Sequence, residues 1–171
     1  MIIARKTGYG FKIMKNSLKT GLSFGLTSAI ITTLGLMVGL HSGTHSRTAV
    51  IGGVLTIAIA DALSDAMGIH ISEEAENVHT EGEIWESTLA TFISKFLFAL
   101  TFLVPLLILD LTLAVIASII WGFLLLTILS FHIARSRNVP PGRVLLEYIA
   151  IAVMIIVITH YAGEWISATF G

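Results

Sequence analysis

Asp61 and Asp65 are the only Asp, Glu, Lys or Arg residues between Ala49 and Ile71. Four residues is about one helical turn, so both carboxylates fall on one face of a helix. Asp61 lies near the middle of that apolar run. A carboxylate at that depth of a membrane costs a few kcal/mol even on insertion scales, and such residues usually face a bundle interior and mark an ion pathway or proton relay. The alternative is a protonated aspartate hydrogen-bonded to a neighbouring helix.

The chain directly after this pair is acidic. His70 to Glu86 holds six of the eleven acidic residues and two of the six histidines. At 100° per residue, Asp61, Asp65, Gly68, Ser72, Glu76 and His79 stay within about 80° of one another if the helix continues past the membrane. Carboxylate and imidazole together suit Fe²⁺, Mn²⁺ or Zn²⁺ better than Ca²⁺ or Mg²⁺, and the absence of cysteine argues against copper(I). The candidate metal ligands are Asp61, Asp65, His70, Glu73, Glu74, Glu76, His79 and Glu81. A solvated acidic loop is the alternative for the residues beyond Ile71.

Other polar residues carry less. Asp110 is expected to cap a tight turn. His132, His160 and Glu164 fall at membrane edges, Glu147 is spaced to pair with Arg143, and His41 and His45 lie on a loop that could form an exit site or a plain polar loop. No nucleophile–base pair, phosphate-binding glycine loop or HExxH motif is present, so nothing argues for an enzyme.

These residues need helices to hold them. Of 171 residues, 55% are hydrophobic and 12% charged, with mean hydropathy +0.90. Soluble domains carry about a quarter charged residues. A soluble globule and a disordered chain are therefore excluded. The net charge of −1 leaves no basic excess for nucleic acid. A span needs about 20 mostly apolar residues. Leu22 to Leu40 and Ala49 to Ile71 give two. Thr91 to Leu109 and Leu111 to Ala134 read as a hairpin turning at Asp110. Val144 to Tyr161 follows Pro140-Pro141-Gly142. The expectation is an all-α integral membrane bundle of five transmembrane helices: a basic segment over residues 1–20, then one domain over 21–171 with an acidic cytoplasmic segment at 72–90.

Lys and Arg favour cytoplasmic loops. Counting Lys95 at the near edge of span three, nine of ten fall on the N-terminal side and only Arg47 opposite. This places the N-terminus in the cytoplasm and the C-terminus outside. Arg5, Lys6, Lys12, Lys15 and Lys19 read as a surface-lying basic segment or as a tail that only sets topology. No cleavable signal peptide is expected. Span one carries Ser23, Thr27, Ser28, Thr32 and Thr33, with Gly35, Gly39 and Gly43 spaced by four. Small residues four apart let helices approach closely, within a chain or across a dimer. Hydroxyls lining a polar path are the other reading.

Phe24-Gly25-Leu26-Thr27, the glycine-rich end of span one, and Ala62-Leu63-Ser64-Asp65-Ala66-Met67-Gly68-Ile69-His70-Ile71-Ser72-Glu73 resemble the first two helices of the vacuolar iron transporter family. The resemblance is closest over about residues 20 to 90. It implies five helices, a homodimer, and movement of Fe²⁺ or Mn²⁺ out of the cytosol, with proton exchange as the proposed drive. The family's aspartate before Gly-Leu-Thr is Phe24 here, its methionine after serine is Asp65, a family glutamate falls at Ile57, and its long glutamate-rich domain shrinks to Glu73–Glu86.

The resulting expectation is a divalent-metal transporter in which Asp61 and Asp65 take over the membrane site. Its partners would be divalent metal ions, protons, the bilayer and a second copy of the chain, with no tightly bound cofactor and no nucleic acid. It would be multi-pass, in the plasma membrane if prokaryotic. A non-transporting metal or proton sensor and a structural membrane subunit are the rival expectations.

Overall fold

The computed structural model describes the backbone of residues 7–171 and the side chains of residues 16–171 apart from Ser136 and Arg137. The side chains of Arg5, Lys6, Lys12 and Lys15 therefore lie outside the described residues, and Lys19 is exposed. Every element among the described residues is helical: α1 (Thr7–Thr44), α2 (Arg47–Thr56), a π turn (Ile57–Asp61), α3 (Ala62–Glu76), α4 (Glu81–Thr101), α5 (Leu103–Ile108), α6 (Leu111–Arg137) and α7 (Pro141–Phe170). They form five helices long and apolar enough to cross a membrane, with α2, the π turn and α3 as the second span and α4 with α5 as the third.

Local chemistry sets the ends. Ser46 caps α2 by accepting from the Ala49 amide at 3.3 Å. Thr80 and Glu83 form a reciprocal capping box at the start of α4, the Glu83 carboxylate taking the Thr80 amide at 2.7 Å. Asn77 and Asn138 adopt φ of 53° after α3 and α6, the left-handed cap that asparagine tolerates. Pro141 starts α7, where a missing amide proton costs nothing. Pro105 breaks the third span, because its ring clashes with the carbonyl four residues back and its nitrogen donates no bond. The Arg47 side chain then donates from Nε, at 2.8 Å, and from Nη2 to the Leu106 carbonyl, capping the C-terminal turn of α5.

Two expectations change. The acidic stretch is mostly helix rather than loop, since α3 runs to Glu76 and α4 begins at Glu81. The third span consequently starts ten residues before Thr91. Asp110 does precede α6, but only its backbone carbonyl, accepting from Ala114, serves the cap.

Helix α1 is the central post. Half of its apolar window is buried, against 11% for α7. Ile30, Leu34, Met37 and Val38 form its core face, packed with Val50 and Val54 of α2, Phe102, Leu106 of α5, Val115 and Leu126 of α6, and Ala152 of α7. The peripheral helices turn long apolar side chains such as Leu97, Ile120, Ile128 and Ile158 outward, as lipid requires.

Glycines decide how closely α1 is approached. A Cβ on Gly25 would come within 2.7 Å of the Thr91 carbonyl of α4, and one on Gly163 of α7 would lie 2.9 Å from the Gly43 amide. Gly35 and Gly39 face Ile155 and Thr159 of α7. The four-spaced glycines of span one thus pack within the chain, against α7, and leave no room there for a second copy. The hydroxyls of Thr27 and Thr32 donate to Ser23 and Ser28 carbonyls of their own helix, at 2.8 Å each, so their protons are spent locally.

A candidate ion site at mid-membrane

Ser28, Asp61, Asp65 and Lys95 meet where α1, the second span and α4 touch, each near the middle of its span. The Lys95 side chain is 0% exposed, while Asp61 is 33% and Asp65 21% exposed. The ammonium Nζ lies 2.5 Å from Asp61 Oδ2 and also donates to Asp65 Oδ2. It donates to Ser28 Oγ at 2.9 Å, and that hydroxyl donates in turn to Asp65 Oδ2 at 2.6 Å. With all three groups charged, the cluster carries one net negative charge.

The placement of Lys95 is the main correction to the sequence reading. It is an interior ligand of two carboxylates, not a topology signal at a membrane edge. The physical reason is the earlier start of α4, which moves residue 95 from the rim to the centre. The polar run Thr88, Thr91, Ser94 and Lys95, at helical spacing in an otherwise apolar segment, was the available signal. The first three are buried, and their hydroxyls donate to carbonyls of α4.

Backbone geometry aims the aspartates. The π turn over Ile57–Asp61 closes with the Ala62 amide reaching back to the Ile57 carbonyl, so one extra residue is accommodated immediately before the pair. Turns of this kind are rare and recur at functional sites. They place Ala58, Ala62 and Ala66 on the buried face and the two carboxylates beside it.

The remaining candidate ligands do not join this cluster. His70 Nδ1 meets Thr88 Oγ1 at 3.0 Å and its ring stands edge-on to Trp85, with centroids 4.8 Å apart. Thr88 spends its proton on the Ile84 carbonyl, which leaves its oxygen to accept from His70 Nδ1. Glu73 is buried and accepts from Ser87 Oγ. Glu76 and His79 pair at 3.5 Å around the Asn77 turn. Glu74 and Glu81 are exposed. The single face expected to run from Asp61 to His79 therefore divides: Asp61 and Asp65 turn towards Lys95 of α4, while Gly68, Ser72 and Glu76 are exposed. Among the described residues, no group of three or more His, Asp or Glu side chains is placed to hold a metal ion.

At the opposite end, His160 accepts from or donates to Ser42 at 2.6 Å and lies 3.5 Å from Glu164. With His41, Val38 and Tyr161 it lines a shallow, mostly apolar cavity between α1, α6 and α7, remote from the aspartates. The rings of His41 and His45 are 5.8 Å apart. Arg143 and Glu147 make no ion pair.

One face of the second span remains uncovered. Gly52, Thr56, Ala60, Ser64, Gly68 and Ser72 recur every four residues and are all exposed, and a Cβ on Gly52 or Gly68 would meet nothing within 4 Å. This strip borders the side of the helix that carries Asp61 and Asp65.

What the central cluster can do follows from its donors. Three oxygens, two of them carboxylate, converge on one point in an apolar setting, and a cation already fills it. No family model, curated protein or solved structure matches the chain.

Proposed function

We propose that the protein moves a divalent metal cation, Fe²⁺ or Mn²⁺, across a membrane in exchange for protons, as a divergent relative of the vacuolar iron transporters. The observation that carries this reading is the convergence of Asp61, Asp65 and Ser28 on one cation-sized point at mid-membrane. Paired carboxylates at that depth are costly unless they serve an ion. Protons returning to them would release the metal on the far side.

The eight basic residues other than Lys95 and Arg47 lie on the side of the chain's N-terminus, which favours an N-in, C-out orientation. Glu73, Glu74, Glu76, His79 and Glu81 then lie on the cytoplasmic side, where they would draw cations towards the entrance, with His70 Nε2 and Glu73 nearest the span. Direction is export from the cytosol. A homodimer would form on the uncovered small-residue strip of the second span, covering the exposed third of Asp61.

A second reading has an observation of its own. Lys95 closes the cluster with an internal ion pair, as a sensor that binds but does not conduct would require. Mn²⁺ flux into proteoliposomes separates the two. The transporter reading expects saturable flux that Asp61→Asn/Asp65→Asn abolishes. Unchanged flux in that variant overturns the pathway, and saturable Mn²⁺ binding without flux in the wild type favours the sensor.

A further inference from the structure

Lys95 occupies the place a metal would take. Its Nζ contacts Oδ2 of both Asp61 and Asp65, the point at which one cation can be shared by the two acids. We propose that Lys95 is the specificity-determining residue of the site, a tethered monovalent cation that only an ion of higher charge displaces. The inference rests on the proposed cation site at Asp61 and Asp65.

Coulomb attraction gives the selectivity. Na⁺ or K⁺ is drawn to the two carboxylates no more strongly than the ammonium it must displace, whereas a divalent ion at the same point is drawn about twice as strongly. The displaced ammonium keeps its charge inside the bundle, so the exchange is uphill for a monovalent ion. Ser28 completes the exchange. Its oxygen accepts from Lys95 at 2.9 Å while its proton goes to Asp65, so departure of the ammonium frees a third oxygen aimed at the same point. The displaced ammonium must find new acceptors within the bundle. That requirement weakens metal binding in the wild type and sets the threshold that monovalent ions fail to pass.

The test is calorimetric titration of the full chain in detergent, with Mn²⁺ and separately Na⁺ as probes, at one fixed pH. Lys95→Met is expected to bind Mn²⁺ roughly tenfold tighter or more and to gain Na⁺ binding that the wild type lacks. Lys95→Arg is expected to bind Mn²⁺ more weakly, because a rigid guanidinium fork holds two carboxylates better than an ammonium does. Wild-type Mn²⁺ binding with no gain in Lys95→Met overturns the inference and leaves the cation site standing. Absence of Mn²⁺ binding in both proteins overturns the cation site as well. If Lys95→Met does not fold, Lys95→Arg decides: weaker Mn²⁺ binding supports the competitor, and equal or tighter binding overturns it.

Discussion

Removing the Lys95 ammonium should destabilise the bundle even without metal. Lys95→Met keeps an unbranched side chain one atom shorter and deletes three donors, leaving Asp61 and Asp65 facing each other with only Ser28 between them. Severing a buried pair from one side costs about 3–5 kcal/mol, because the abandoned charge stays in place. Asp61 keeps a third of its surface exposed, which argues for the lower end, about 3 kcal/mol. For a chain of this size each kcal/mol moves the melting point by about 2–4 °C, so Tm should fall by about 6–12 °C. The triple variant Asp61→Asn/Asp65→Asn/Lys95→Met carries no charge there and should recover most of the loss, since neutral replacements of buried ion clusters are often nearly neutral in stability. Thermal unfolding in detergent with a metal chelator, followed by fluorescence of the three tryptophans, reads both. A Lys95→Met protein melting within about 2 °C of wild type would refute the reasoning. So would a triple variant melting no higher than the single one.

The glycines give a contrasting pair. Gly163→Ala presses a methyl onto the backbone of Gly39 and Gly43 and should lower stability by about 1–3 kcal/mol, whereas Gly52→Ala and Gly68→Ala meet open space and should be neutral or up to about 1 kcal/mol stabilising in the monomer. Tm in detergent separates them, and equal losses at all three sites would contradict the packing. If the homodimer uses the uncovered strip, Ala60→Cys or Ser64→Cys should crosslink between copies in membranes while Gly39→Cys, sealed under α7, should not. Crosslinking at Gly39 alone would place the seam elsewhere.

The five spans were legible because lipid imposes one rule on every segment: length and apolarity, both of which the sequence displays. The aspartate pair was legible for the same reason, as two acids in a charge-free run. Lys95 is hidden by a boundary that lies ten residues earlier than composition suggests. Hydropathy falls off at Glu86 and starts the apolar span at Thr91, but a helix can start in polar sequence. Thr80-x-x-Glu83 is a capping box, and it announced the true start. The destination of the four-spaced glycines was not legible, because spacing identifies a close approach and not the partner. The π turn left no compositional trace, since Ile57-Ala58-Ile59-Ala60 reads equally well as regular helix.

That turn carries one residue more than a regular helix would hold over the same rise, which makes the register of the second span a matter of arithmetic. Deleting Ala60 would restore ordinary winding, with no change in charge and almost none in hydropathy. Because the π turn absorbs its extra residue within one wide turn, the two halves would keep their relative rotation, Val50 and Val54 on one side and Ala66 and Glu73 on the other. The deletion would act on one acid rather than on the register of the span: Asp61 closes the wide turn, while Asp65 lies in the regular helix beyond it.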